Sequence, residues 1–520
     1  MLWHFLFLLF KFVLSNSSEA PTYHELYRPG YHFSPPKNWL NDPNGLIYFG
    51  NVYHLYYQYN PFGTDWGHMS WGHAISRDLV HWTNLPVAIP EYDDVMIFSG
   101  CNIIDKNNTS GFCTSKELGC LLAFYTQQTN RESQAIAYSN DFGLTYKQYA
   151  YNPIIDLNEK DFRDPKVFWY EQEEKWVMVV ALSVVFKLQF YSSKDLVNWT
   201  LLSEFGPDGS TVGPWEDPDL FALPDEEGNL RWVLYHAVDN EYVEYYIGDF
   251  DGKTFVNSET KGETLLIDYG KDFIEAATWN NEPKGRRLII AYFADGGYAP
   301  GLPTQVWRGQ LTLIRELKLK RYQEGLRIIQ QPIEELSSLR YSPEHYGKMQ
   351  LNSTSLNFAN ASQIEIVAEF SVPAENSAKE FGFKVFVGEN QSTTIAYRVD
   401  LQDLSVDRRN SGLVNFSSYF PTVTNHTLSL ENGRIKLRIF IDQSSVEVFA
   451  NDGKLAMTNL VYPDPLKNQI IVYATDGSVV MESMDTWLLQ DIWSSSLEND
   501  KETLDVFWKN MRRKEEFISS

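Results

Sequence analysis

Cysteine is nearly absent: of 520 residues only Cys101, Cys113 and Cys120 carry a thiol. Three cysteines cannot form a disulfide framework, although they allow one bridge, and their spacing matches no metal site. Positive charge is also scarce. Forty-four Lys and Arg stand against 68 Asp and Glu, a formal net charge of −24. That balance opposes non-specific attachment to nucleic acid or to an anionic membrane surface, and a neutral or cationic partner fits better. Beyond the N-terminus no stretch approaches the ~18 uninterrupted apolar residues of a membrane span. What the chain does have is 43% hydrophobic residues and 15% aromatics, including 30 Tyr, 32 Phe and 15 Trp. This is the composition of a folded, strand-rich protein. Its length exceeds what one core usually organises, so one large repetitive domain plus a smaller one, or several domains, is expected.

Residues 1–20 read as a secretory signal: an apolar run from Phe5 to Phe10 and from Phe12 to Leu14, then the small polar residues Ser15, Ser17 and Ser18. Lys11 interrupts the run, and no Lys or Arg precedes it. Nine Asn-x-Ser/Thr tripeptides, five of them between Asn352 and Asn425, agree with secretion and with an exposed surface in that stretch. A secreted protein, in the extracellular space, cell wall or periplasm, is the expectation.

Between Asn51 and Tyr298 a unit recurs: an apolar strand, a second strand, then a turn with Asp and, a few residues on, an aromatic. The strands are expected at 52–59, 118–126, 175–182, 231–238 and 287–293. The turns read Ser76-Arg77-Asp78-Leu79-Val80-His81-Trp82, Ser139-Asn140-Asp141 to Tyr146, Ser193-Lys194-Asp195-Leu196-Val197-Asn198-Trp199 and Asp249-Phe250-Asp251 to Phe255, with a degenerate fifth at Asp295 to Tyr298. Five antiparallel units of this size predict an all-β fold, a five-bladed β-propeller, rather than a sandwich array or a β-helix.

A second repeat, Asp-Pro-x-x-apolar, appears at Asp42-Pro43, Asp164-Pro165 and Asp217-Pro218. Proline is tolerated at the first residue of a strand, so each Asp-Pro is taken to open a blade's innermost strand, with Ser99 and Asp272 in the corresponding places of the other two blades. Innermost strands line a propeller's channel, which brings distant carboxylates to one mouth. Any single Asp-Pro is also an ordinary turn signal. After about Glu335 the pattern changes to alternating strands at 363–370, 382–387, 394–399, 434–441 and 445–450, as in a β-sandwich domain over 345–493. Residues 494–520 carry Leu504, Phe507, Trp508 and Met511 at helical spacing and predict a charged C-terminal helix. The catalytic domain is bounded at 21–335.

Trp39-Leu40-Asn41-Asp42-Pro43-Asn44-Gly45 resembles the sucrose-binding box of glycoside hydrolase family 32, the invertases, inulinases and levanases. Gln58-Tyr59-Asn60-Pro61, Trp71-Gly72-His73-Ala74, Phe98-Ser99-Gly100, Arg163-Asp164-Pro165, Trp307-Arg308-Gly309 and Ile441-Asp442-Gln443-Ser444-Ser445-Val446-Glu447-Val448-Phe449 are similar to further motifs of the family, in order. The resemblance implies a propeller joined to a β-sandwich and a retaining β-fructofuranosidase. It assigns Asp42 as nucleophile, Glu216 as acid/base and Asp164 as the carboxylate that binds fructose hydroxyls. Asn41, Gln58, Trp66, Ser99 and Arg163 would line the fructose subsite. Retaining chemistry needs one attacking carboxylate and one proton-donating acid, so no cofactor and no metal is expected. The substrate is a small sugar: sucrose, a fructo-oligosaccharide or a fructan.

The chain departs from the family in two places. Asp217 stands where the family has cysteine after the glutamate. The Asp-Pro repeat aligns Asp217, not Glu216, with Asp42 and Asp164. Because neighbouring strand residues face opposite ways, only one of the two is expected in the pocket. Glu216 is the choice for acid/base, with Asp217 kept as a substrate-binding candidate. In the fifth blade Asp295-Gly296-Gly297-Tyr298 lacks the family's tryptophan, and Glu275 falls where a Tyr-Ala stretch is usual, which opens the question of leaving-group preference. Hydrolysis of sucrose, exo-action on inulin or levan, and fructosyl transfer share the same three acids. A catalytically silent sugar-binding protein is the reading from another class. The second domain either packs on the first or mediates homodimerisation.

Overall fold

The computed structural model describes residues 22–115, 117–493 and 500–509. The N-terminal signal reading lies outside these residues, as does most of the C-terminal segment. Within them the protein is all-β, with short 3-10 turns and one helical stretch at 500–509. Among the described residues no helix is long and apolar enough to cross a membrane.

Residues 38–332 form five small antiparallel sheets that follow one another along the chain. Their first strands are Asn38–Phe49, Met96–Ile104, Phe162–Tyr170, Trp215–Pro224 and Ile274–Thr278. Each first strand touches the next, and the fifth touches the first. Apolar clusters fill the gaps in the same cyclic order. Tyr56 and Trp71 meet Ala123 and Tyr125; Phe124 and Ile136 meet Met178 and Val180; Val177 and Phe190 meet Leu234 and Tyr246; Val233 and Tyr235 meet Ile289 and Ala291; Leu288 and Ile290 return to Leu55 and Tyr57. The Lys175–Leu182 strand shows why the apolar runs are continuous. Trp176, Met178 and Val180 pack on the preceding sheet. Val177, Val179 and Ala181 pack on the following one, so both pleat faces are buried.

The repeated turns have a common cause. Asp78 Oδ1 accepts from the amides of Val80 (3.0 Å) and His81 (2.8 Å), and Asp195 Oδ1 does the same for Val197 (3.0 Å) and Asn198 (2.7 Å). Leu79 and Leu196 adopt the same left-handed conformation, φ 66° in both. The ring also borrows a late segment, since Trp307-Arg308 pairs in parallel with Asn38-Trp39 at the edge of the first sheet.

Residues 340–489 make a seven-stranded and a six-stranded sheet with one core between them, in which Ile366, Leu437 and Val448 face Phe383, Ile395 and Val472. The strands expected from the sequence are all present in this region, Ser445–Ala450 with the bounds anticipated. Buried ion pairs join the two regions. Arg315 is fully buried between Asp268 (2.8 Å), Glu447 (2.6 Å) and Gln330 (2.7 Å). His32 bridges Asp442 (2.8 Å) and Glu447 (2.9 Å). Arg408 pairs with Asp272 and donates to Tyr298 Oη (2.6 Å). Asp272 therefore belongs to the junction, not to the channel position expected of it. The helical stretch 500–509 lays Phe507 on Val52, Ile75 and Phe142, bracing the outer part of the first sheets. Cys113 and Cys120 form the one disulfide, and Cys101 is a buried free thiol.

Candidate active site

All five first strands bulge at the same level. In each, two residues stand opposite one on the neighbouring strand: Asn41-Asp42 opposite Gln58, Phe98-Ser99 opposite Thr126, Asp164-Pro165 opposite Val180, Asp217-Pro218 opposite His236, and Glu275-Ala276 opposite Ala291. A two-for-one bulge kinks the strand and re-aims its side chains. Here five kinks converge on one cavity of about 270 Å³, lined by Asn41, Asp42, Gln58, Trp66, Met69, Phe98, Ser99, Arg163, Asp164, Glu216, Asp217, Asn240 and Glu275. Every site residue expected from the sequence is among them.

The bulges correct three expectations. Asp-Pro does not open these strands, which begin earlier, at Asn38, Phe162 and Trp215; the proline is tolerated because the bulge interrupts the ladder. Nor do the three Asp-Pro pairs superpose. Asp164 and Asp217 take the first bulge position, as Asn41 does, whereas Asp42 takes the second, as Ser99 does. The expectation that only one of Glu216 and Asp217 faces the cavity also fails, since both line it. Asp217 lies in the left-handed region, φ 44°, so strict alternation breaks between these neighbours. Asp164 (φ 65°) and Glu275 (φ 48°) share that conformation.

Asp42 is held at both carboxylate oxygens. Ser99 Oγ donates to its Oδ2 (2.7 Å) and Asn41 Nδ2 to its Oδ1 (2.8 Å), while Trp39 Nε1 fixes Asn41 from behind (2.7 Å). Burial pushes the Asp42 carboxyl up, the Ser99 and Asn41 hydrogen bonds oppose it, and the balance is about 6. Removing the hydroxyl in Ser99→Ala takes away a donor that favours the ionised form. The acidic limb of kcat/KM, set by Asp42 near pH 6, is then expected to move to higher pH, read from a rate profile in the free-enzyme regime.

Glu216 accepts from Arg163 through one oxygen and from Asn240 Nδ2 (3.0 Å) through the other. Arg163 is aimed by Glu132, which takes Nε (2.8 Å) and Nη2 (2.6 Å), and by Asp161 (3.0 Å). The immediate partners of Glu216 are thus a guanidinium and an amide. Asp164 accepts from the Asp217 amide (3.1 Å), and burial followed by the Asp217 charge pushes its carboxyl well above the usual range. Gln58 is buried, and among the described residues neither its amide nitrogen nor its oxygen has a partner. An unpaired buried amide facing a cavity is a donor and an acceptor in wait for a hydroxylated ligand. Trp66 is half exposed at the rim, edge-on to Phe98 at 6.0 Å, whereas Trp71 is core.

Asn240 and Glu132 escaped the sequence reading. Asn240 sits in a turn with Asp239, both at positive φ, an ordinary turn signal with nothing to single it out. Glu132 lies far from Arg163 in sequence and meets it only across two sheets.

Residues 32–332 match the glycosyl hydrolases family 32 N-terminal domain, and residues 335–488 match the family's C-terminal domain. The chain belongs to glycosyl hydrolase family 32. It is 45% identical to a levanase of Bacillus subtilis over 93% of this chain and 73% of that one. It is 34% identical to the extracellular exo-inulinase of Aspergillus awamori over 93% and 98%. The crystal structure of the A. awamori exo-inulinase superposes with a TM-score of 0.85, at 34% identity, covering 91% of this chain and all of that one. A β-fructofuranosidase of Schwanniomyces occidentalis complexed with fructosyl-erythritol superposes at 0.84, with 30% identity and coverage of 90% and 99%. This family 32 protein is a fructose-releasing glycoside hydrolase.

Proposed function

We propose that the enzyme is an exo-acting β-fructofuranosidase that works by double displacement: Asp42 attacks the anomeric carbon, Glu216 protonates the departing oxygen, and Asp164 binds ring hydroxyls and steadies the oxocarbenium-like transition state. The observation that carries this reading is the pairing of environments in one cavity. Asp42 is fixed by two donors that favour its anion. Glu216 is steered across from it by Arg163 and Asn240. In the second half-reaction Glu216 takes a proton from water, which opens the fructosyl ester on Asp42 and restores both groups. Asn41, Gln58, Ser99 and Arg163 hold the bound sugar, and Trp66 offers it an apolar edge at the rim.

The five small sheets read as the blades of a propeller over 21–335, supported by the cyclic contacts of their first strands, and the two larger sheets as a β-sandwich over 345–493. A cavity closed at its base by five inner strands admits a chain end and not a chain middle, which favours release of terminal fructose. With no tryptophan in the fifth blade's Asp295-Gly296-Gly297-Tyr298 loop, the mouth has room for a fructan end as well as for sucrose, in keeping with the levanase and exo-inulinase relatives. Secretion fits the extracellular relatives, and a homodimer through the sandwich is compatible with its exposed strands.

Trapping tests the assignment. A Glu216→Ala variant given a β-fructofuranoside with a good leaving group should accumulate a fructosyl ester, and peptide mass mapping should place it on Asp42; an adduct on any other residue overturns the reading. Product analysis should show glucose and fructose in equal amounts from sucrose, and free fructose without intermediate oligosaccharides from inulin and levan.

A further inference from the structure

Glu275 is the least explained group in the pocket. It is 3% exposed and lines the cavity, yet among the described residues neither carboxyl oxygen meets an N–H or hydroxyl donor. Its neighbour is Asp217, at the equivalent bulge position on the adjoining strand, with the same left-handed backbone, φ 48° against 44°. Holding a glutamate in that conformation is unfavourable, so the fold keeps this side chain aimed inward against a local cost. A buried carboxylate without a donor is strongly disfavoured.

Among the described residues no cation is free to neutralise the pair. Arg163 is taken by Glu132, Asp161 and Glu216. Lys166, deeper in the channel, is held by Asp219 (2.8 Å) and the Thr278 carbonyl (2.8 Å). The other groups facing the two carboxyls are Asp42 from the first strand, Ser99 from the second, Asp164 from the third, Glu216 from the fourth, and the phenol of Tyr235 from the strand behind. Ser99 is committed to Asp42, and Tyr235 donates to the Ala276 carbonyl (3.1 Å). A proton is the remaining means of joining Glu275 to Asp217.

We propose that Glu275 and Asp217 act together as an acid pair that shares one proton at the base of the pocket, positioning the fructosyl unit by offering its hydroxyls one donor and one acceptor. The pair also limits the charge beside Asp42 to one. Fully ionised, the two would add repulsion to the attacking carboxylate; fully protonated, they would lose the acceptor. Burial, followed by Glu216 and Asp42, drives the Glu275 carboxyl well above the usual range, and burial, followed by Asp42 and Glu275, does the same to Asp217. The arrangement follows the physics of any two carboxyls at contact distance, which cannot both ionise. It rests on Asp42 as the nucleophile. It also accounts for the two departures from the family together: an aspartate after the acid/base and a glutamate in the fifth strand are the two halves of one device.

The test uses the whole purified protein and the variants Glu275→Gln, Glu275→Ala and Asp217→Asn. Infrared difference spectra at pH 6 should show a protonated-carboxyl C=O band in the wild type that is lost in Glu275→Gln; equal band intensity in the two overturns the proposal. This readout needs no turnover, so it stands or falls separately from the Asp42 adduct. Steady-state kinetics on sucrose should show KM raised about tenfold in Glu275→Ala, with a smaller change in kcat, through loss of one charge-assisted hydrogen bond. Glu275→Gln should recover most of that loss, because its amide still donates to Asp217, and its alkaline limb should lie at higher pH than the wild type's. Equal impairment of the alanine and glutamine variants, or an unchanged KM in both, overturns the proposal.

Discussion

Glu216→Gln is expected to lower kcat on sucrose by about 10²- to 10⁴-fold, the usual worth of general acid catalysis. The amide can still accept from Arg163 and keep the local geometry, but it has no proton to give the departing sugar oxygen. In kcat/KM, which reports only the steps up to formation of the fructosyl ester, the loss should shrink sharply on an aryl β-fructofuranoside whose leaving group departs without protonation. Such a split between natural and activated substrate is the signature of a missing acid; a uniform loss on both would mean that Glu216 serves only to shape the pocket. Asp217→Asn, one residue along, should mainly raise KM and leave turnover within about an order of magnitude, since among the described residues no hydrogen bond joins its side chain to Asp42. The reversed pattern would exchange the two roles. Their distinct positions make the contrast sharp: Glu216 precedes the bulge and meets Arg163, while Asp217 lies within it.

Arg315→Met is expected to cost about 3–5 kcal/mol of unfolding free energy, because it strands the buried carboxylate of Asp268 without its cation and leaves Glu447 with His32 alone. Denaturant titration of the whole protein measures this. Retention of full stability would show that the junction relaxes around the loss. The same network should show in the pH dependence. Burial alone would lower the His32 ring, but its bonds to Asp442 and Glu447 prevail and raise it from 6.5 to about 9. Its stabilisation is therefore complete below pH 6.5 and is lost as pH rises through 9. Glu447 is the opposite case: burial raises it, but Arg315 and His32 prevail and lower it from 4.5 to about 2, so its contribution is present above pH 4.5 and disappears as pH falls through 2. The junction between the two regions is thus held most firmly across the range between pH 4.5 and 6.5.

Much of the strand order was legible in the sequence. Lys175–Leu182 and Ser445–Ala450 have the bounds that the residues foretell, because an apolar run buried on both faces and an alternating run between turns are local patterns that side-chain chemistry enforces. The Ser-x-Asp turns were legible for the same reason, each being closed by its own side chains. Asp272 was misplaced because an aspartate before an apolar strand looks the same whether it faces a channel or, as here, the buried guanidinium of Arg408, 136 residues away.

The sequence by itself determined most of the cavity's lining, Asp42, Asp164 and Glu216 with Asn41, Gln58, Trp66, Ser99, Arg163 and Asp217, and left Asn240 unmarked. What only the tertiary structure decided is how those residues are aimed. Strand periodicity counts in twos, and the Asp-Pro repeat placed Asp42, Asp164 and Asp217 in one register. Five stacked bulges broke that count, shifted Asp42 by one position against the other two, and turned Glu216, Asp217 and Glu275 all inward. A bulge is set by the pairing of a strand with its neighbour across a turn, so it is written in the register between strands and not in either strand alone.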